Sequence, residues 1–200
     1  MDFIELITQE EPYIVYEEDF MRLLHETPRE FSIRELCSEY NLTGADGKKR
    51  NEILKKLLGT WNPEVRIEPQ FHCDCGLNIH FQGSALLNYN CSLLDTSPIH
   101  IGDGVMIAPG VCITCAGHSI DPGQRINGVR VSAPIVIEDK VWIGANAVVI
   151  GGVTIGEGSV IGAGSVVTRD IPAGVVATGS PCRVIREISQ KDKLDVPEYK

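Results

Sequence analysis

From Ile101 onward an aliphatic residue returns every sixth position. IGDGVM, IAPGVC and ITCAGH start at Ile101, Ile107 and Ile113. After a break the beat resumes as IEDKVW, IGANAV, VIGGVT, IGEGSV, IGAGSV and VTRDIP, led by Ile137, Ile143, Val149, Ile155, Ile161 and Val167. A period of six is neither the 3.6 of a helix nor the 2 of a simple strand. It fits a unit of one short strand and one corner, in which the lead residue points inward, a small residue four places on fills the space behind it, and Gly, Asp or Asn takes the corner. Such a unit cannot bury its apolar face alone, so successive coils must stack into a parallel β-helix. A looser set at Phe81, Leu87 and Leu93 keeps the register, and Pro98-Ile-His-Ile and Pro134-Ile-Val-Ile each restart it, which predicts roughly four coils between residues 77 and 171.

The composition agrees. Of 200 residues 43% are apolar but only 6% aromatic, with 20 glycines, so the core is built from small branched side chains on strands. The fold class expected is mainly β, with a small helical unit ahead of the coil. Residues 16–58 place apolar side chains at helical spacing (Phe20, Leu23, Leu24; Ile33, Leu36, Cys37, Tyr40; Ile53, Leu54, Leu57, Leu58). Two capping boxes, Thr27-Pro-Arg-Glu30 and Ser32-Ile-Arg-Glu35, and stop signals at Gly44 and Gly59 delimit them. The boundaries read as 1–62 for the helical unit, 63–188 for the coil and 189–200 for a tail.

A formal net charge of -9 disfavours a broad nucleic-acid or anionic-membrane surface, since either needs a positive field. The N-terminus MDFIELITQEEPY is acidic and has no apolar stretch of signal-peptide length, and no run is long enough to span a bilayer, so the protein reads as cytoplasmic. Seven cysteines in that setting read as free thiols. Cys73 and Cys75, with Cys112 and Cys115, and with His72 and His118 nearby, invite a zinc reading. Their place among six-residue repeats favours packing, and no metal is expected.

The break in the beat, TCAGHSIDPGQRINGVRVSAP at residues 114–134, must leave the coil as an external loop, and it carries one of five histidines, His118. Long loops on rigid scaffolds often carry function. Together with PQFHCDCGLNIHF, LNYNCSLLD, PIHIGDGVMIAPGV and the run from APIVIEDK to SPCRVIREI, the segment AGHSIDP resembles the maltose and galactoside O-acetyltransferases of the hexapeptide-repeat acyltransferases. The likeness is continuous from about residue 66 to residue 188.

That resemblance implies a left-handed parallel β-helix, a homotrimer with active sites between subunits, and acetyl transfer from acetyl-CoA to a hydroxyl, the acceptor being a sugar. His118 matches the general base, the group that must take a hydroxyl proton as the oxygen attacks a thioester. Asn88 matches an active-site asparagine contributed by the adjacent subunit, and Asp74 and Asp95 match the lining of the acceptor pocket. On the cofactor side, the N–H of Ala145 matches an oxyanion donor, Ala163, Thr168 and Arg169 match contacts to the pantetheine arm, and Arg183 and Arg186 match the end that meets the nucleotide phosphates. Helical residues that complete the acceptor site in that family fall here on Arg22 and on Glu30 or Phe31, which leaves a serine, an antibiotic alcohol or an amino sugar open as acceptor. A noncatalytic β-helix has no use for the His118 loop, Asn88 and the arginine pair together. A zinc hydrolyase on the same coil needs three imidazoles, and SIDPGQ after His118 supplies no second one.

Overall fold

The computed structural model describes residues 2–26, 32–44 and 46–196. Its body is a three-faced parallel β-helix. Face I stacks Val65–Ile67, Ala85–Leu87, Val105–Ile107, Trp142–Ile143, Val160–Ile161 and Val175–Thr178; face II stacks Phe71–Cys73, Cys91–Leu94, Cys112–Thr114, Val148–Ile150 and Val166–Val167; face III stacks Ile79–Phe81, Ile99–Ile101, Ile135–Ile137 and Thr154–Ile155. The chain passes I to II to III and round again, so the coil starts earlier and ends later than the four turns read from the sequence. In the early turns the inward positions hold Val65, Ile67, Phe71 and Ile79, whose uneven spacing hides the beat.

The lead residues form the core: Ile101, Ile113, Ile143, Val149, Ile155, Ile161 and Val167 are fully buried, each contributing roughly 1.5–3 kcal/mol of apolar burial. Corners tolerate the tight stacking through left-handed residues. Asn146 has φ 57°, and at Gly110, φ 73°, an added Cβ would lie 2.2 Å from the Asn146 side-chain oxygen.

Among the described residues four helices precede the coil: α1 (Phe3–Ile7), α2 (Glu17–Glu26), α3 (Ile33–Leu42) and α4 (Gly47–Leu57). The Ser32 hydroxyl accepts from the Glu35 N–H and so starts α3, and Asp46 does the same for α4. The Thr27 box lies outside the described residues. Helices α3 and α4 close the first end of the core through Leu36, Tyr40, Leu54 and Leu57. The unit is not helical throughout: Tyr13–Tyr16 is a strand, formed because its β-prone run finds an open strand edge on the external loop. Phe3, Leu6, Ile7, Tyr13, Phe20 and Cys75 make a second, smaller core there. Among the described residues no helix is long and apolar enough to cross a membrane.

Candidate active site

His118 leaves the coil at the edge between faces II and III. The loop is more ordered than its lack of rhythm suggests: Ala116–His118 pairs antiparallel with Val129–Ser132, His118 lying opposite Arg130, and Asp121 caps a one-turn helix at Pro122–Ile126. The strand Tyr13–Tyr16 adds to the far side of Val129–Ser132, with Val15 opposite Arg130. Arg130 grips the Glu17 carboxylate through two nitrogens and lies 5.2 Å from the Phe20 ring centre. His118 thus stands exposed at the end of a braced three-stranded sheet.

Beside it, between α2, α3 and the II–III edge, opens a cleft of about 620 Å³. Phe3, Phe20, Met21, Leu24 and Ile33 give it an apolar wall; Asp74, Thr96, Arg34, His25 and Arg130 give it polar groups. Phe20, Thr96 and Arg130 also line the niche against His118, so cleft and imidazole are contiguous. Asp74 lines this cleft; surrounding protein raises its pKa by desolvation, and the Arg34 charge opposes that rise.

Asp95 is placed otherwise. It is fully buried, and its carboxylate accepts the backbone N–H groups of Asp74 (3.0 Å), Cys75 (2.8 Å) and Asn78 (3.3 Å). It shapes the turn that presents Asp74 and does not line the cleft. Burial pushes its carboxyl up to about 6, with the backbone N–H groups of Cys75, Gly76 and Asn78 among those pulling the other way. Arg22, at one of the helical positions where the family residue is not matched, is exposed and paired with Asp19 and Glu26 along α2, while Arg34 is the helical arginine that reaches the cleft. Glu30 and Phe31 lie outside the described residues. Sequence reasoning missed Arg130 and Glu17, because only the pairing of residue 130 with 118 and of residue 15 with 130 brings them together, and Arg34, which reaches the cleft through the packing of α3.

The remaining expected residues occupy other surfaces. Asn88, Ala145 and Ala163 sit at stacked corners of the I–II edge. Asn88 is half-buried, its side-chain Oδ1 accepting the Tyr89 N–H. Among the described residues the amides of Ala145 and Ala163 donate no hydrogen bond, whereas those of their neighbours Gly144, Asn146, Gly162 and Gly164 all do. Thr168 and Arg169 are exposed on the II–III edge. Arg183 and Arg186 lie on Arg183–Glu187, which folds back antiparallel on Val175–Thr178; Arg186 pairs with Asp192 through two bonds of 2.7 and 2.9 Å. The I–II and II–III edges are separated by the width of face II, three residues or about 10 Å plus corners. One chain therefore does not bring His118 to Asn88 or Ala145.

Among the described residues no group of three or more His, Cys, Asp or Glu could hold a metal ion. The cysteines are free thiols.

Residues 134–169 match the bacterial transferase hexapeptide family, six repeats. The galactoside O-acetyltransferase of Escherichia coli K12 is 45% identical over 146 residues, covering 73% of this chain and 72% of that one. The chain belongs to this O-acetyltransferase family. Its structure agrees with two family members of known structure. A maltose O-acetyltransferase from Clostridium difficile 630 superposes with TM-score 0.82 at 41% identity, over 95% of this chain and 99% of the other. A hexapeptide-repeat acetyltransferase from Vibrio cholerae, complexed with acetyl coenzyme A, gives 0.82 at 34% identity over 95% and 100%.

Proposed function

We propose that this O-acetyltransferase moves the acetyl group of acetyl-CoA to a hydroxyl of a sugar or glycoside, using His118 as general base in one direct transfer. The observation that carries the reading is the cleft that opens onto His118 from the helical side, in a family whose members are galactoside and maltose O-acetyltransferases. Asp74 accepts acceptor hydroxyls, and the apolar wall packs against the rest of the molecule. The imidazole of His118 takes the hydroxyl proton as the oxygen attacks the thioester carbonyl. The resulting oxyanion meets a free backbone N–H, that of Ala145. The intermediate then collapses: the C–S bond breaks, and the CoA sulfur leaves with the proton held on His118. Ala163, Thr168 and Arg169 hold the pantetheine arm, and Arg183 with Arg186 meets the nucleotide phosphates, Arg186 exchanging Asp192 for them.

Because the two halves of this site lie on opposite edges of face II, it is complete only when the II–III edge of one subunit meets the I–II edge of another. That contact is heterologous, and on a three-faced coil it closes as a cyclic homotrimer with three equivalent sites.

The test is acetylation of a panel of sugars, glycosides, serine and alcohol-bearing antibiotics, followed by product mass. His118→Ala is expected to lower kcat by about 10²–10⁴-fold with CoA still bound. Subunits carrying His118→Ala and subunits carrying Asn88→Ala, each inactive, are expected to regain about a quarter of full activity when co-expressed in equal amounts, since about one interface in four then joins an intact His118 to an intact Asn88. No recovery would refute the shared site.

A further inference from the structure

Helix α3 meets face II through two thiols. The sulfur atoms of Cys37 and Cys73 lie 3.6 Å apart, 36 residues apart in sequence, with one thiol hydrogen-bonded to the other. Cys37 is buried and Cys73 half-buried. Both line a groove of about 380 Å³ on the outer side of α3, with Ser38, Asn41, Gln70 and His72, so small solutes reach the pair from solvent. Cys73 also lines the acceptor cleft on the other side. Neither thiol is used in the transfer proposed above.

We infer that Cys37 and Cys73 are an oxidative modification site, a thiol pair that closes to a disulfide on reaction with hydrogen peroxide. A disulfide needs an S–S distance of about 2.05 Å, so closure asks for an approach of roughly 1.5 Å between one helix and one strand. Cys37 is assigned as the attacking sulfur: the sulfur–sulfur hydrogen bond lowers its pKa from the usual thiol value, while that same bond and then burial raise that of Cys73. The Cys37 thiolate attacks one peroxide oxygen; the O–O bond breaks, the departing oxygen is protonated to water, and Cys37 becomes a sulfenic acid. The Cys73 sulfur then attacks the Cys37 sulfur, its proton leaving with the hydroxyl as a second water. Two thiols lose two hydrogens and one peroxide is reduced to two waters. A dithiol reductant reverses the change.

Closure pins α3 to face II. Ile33 and Arg34, one turn before Cys37, and Asp74, next after Cys73, all line the acceptor cleft, so the oxidised protein is expected to show a changed KM for the acceptor and an unchanged KM for acetyl-CoA. That consequence rests on the acceptor reading given above; the bond itself does not.

The full-length protein, treated with dilute hydrogen peroxide and digested without reductant, is expected to yield one cross-linked peptide pair joining Cys37 to Cys73, lost on reduction, with a raised thermal midpoint while the bond is intact. Cys37→Ser and Cys73→Ser each abolish it, and Cys112→Ser leaves it. A cross-link between other cysteines, or oxygen addition to single thiols with no cross-link, in the wild-type protein would overturn the inference whether or not the serine variants fold. A Cys37–Cys73 bond that forms without moving the acceptor KM confirms the thiol pair and counts against the acceptor cleft instead.

Discussion

Replacing Asp95 separates a buried brace from a substrate contact. In the structure its two oxygens accept three backbone N–H groups, from Asp74, Cys75 and Asn78, at full burial. Asp95→Ala removes all three acceptors in a site shielded from water. Each orphaned buried donor costs about 1–3 kcal/mol; with partial relaxation of the 74–78 turn, the total is roughly 3–6 kcal/mol. In a chain of this size 1 kcal/mol moves the midpoint by about 2–4 °C, so thermal unfolding followed by circular dichroism should show a fall of the order of 10–20 °C. Asp95→Asn keeps one oxygen with two of the bonds but turns an NH₂ toward the Asn78 N–H, and should lose about a third of that. The pH dependence adds a second reading. The folded-state pKa of Asp95, about 6, is raised above the unfolded value near 3.8, so its contribution is fully present below the unfolded value and is lost as pH rises from about 4 through about 6. Asp95→Asn removes that slope. A midpoint within 2 °C or so of wild type, with acceptor KM raised, would refute the brace and return Asp95 to the sugar.

Three further perturbations test other parts of the structure. Glu17→Gln breaks the Arg130 pair that braces the His118 hairpin; both side chains are partly exposed, so stability falls by less than about 1 kcal/mol, while kcat falls several-fold with KM for acetyl-CoA unchanged in steady-state kinetics. At Gly59 an added Cβ would stand 1.8 Å from the Leu77 carbonyl oxygen, and Gly59→Ala should cost about 3 kcal/mol in denaturant unfolding. Burial, and then the stacked His100, lower the pKa of His80; the unfolded chain takes that proton first, so stability is present above the unfolded value near 6.5 and is lost as pH falls below it, and His80→Gln should flatten that loss in melts between pH 5 and 7 or so.

The coil was legible because its repeat demands one residue type at one place: Ile143, Val149, Ile155 and Ile161 announce buried positions that nothing else in the chain imitates. Val65, Phe71 and Ile79 do the same work at irregular spacing, so the first turns were hidden. His118 stood out as a break in a rhythm, and Asp74 through its motif. Asp95 shows where motif reading stops. Its position beside the pocket follows from the chain, but whether a carboxylate faces ligand or backbone depends on the turn at residues 74–78, which no local pattern encodes. Arg130 and Glu17 were invisible for another reason: they meet only through antiparallel pairing across more than a hundred residues, which leaves no periodic trace, and Arg34 reaches the cleft only because α3 packs on face II.

The strand Tyr13–Tyr16 joins the hairpin of His118 by main-chain bonds, and main-chain bonds are indifferent to side-chain identity. The segment from α1 to α2 can therefore vary at its outward-facing positions while its strand pairing, its small core and the Glu17–Arg130 pair keep it in place, whereas the corners at Ala145 and Ala163 are held fixed by the coil above and below. Diversification in such a chain has an obvious place to occur: residues 2–26 form a side piece laid on a frame whose stacked turns leave little room to drift.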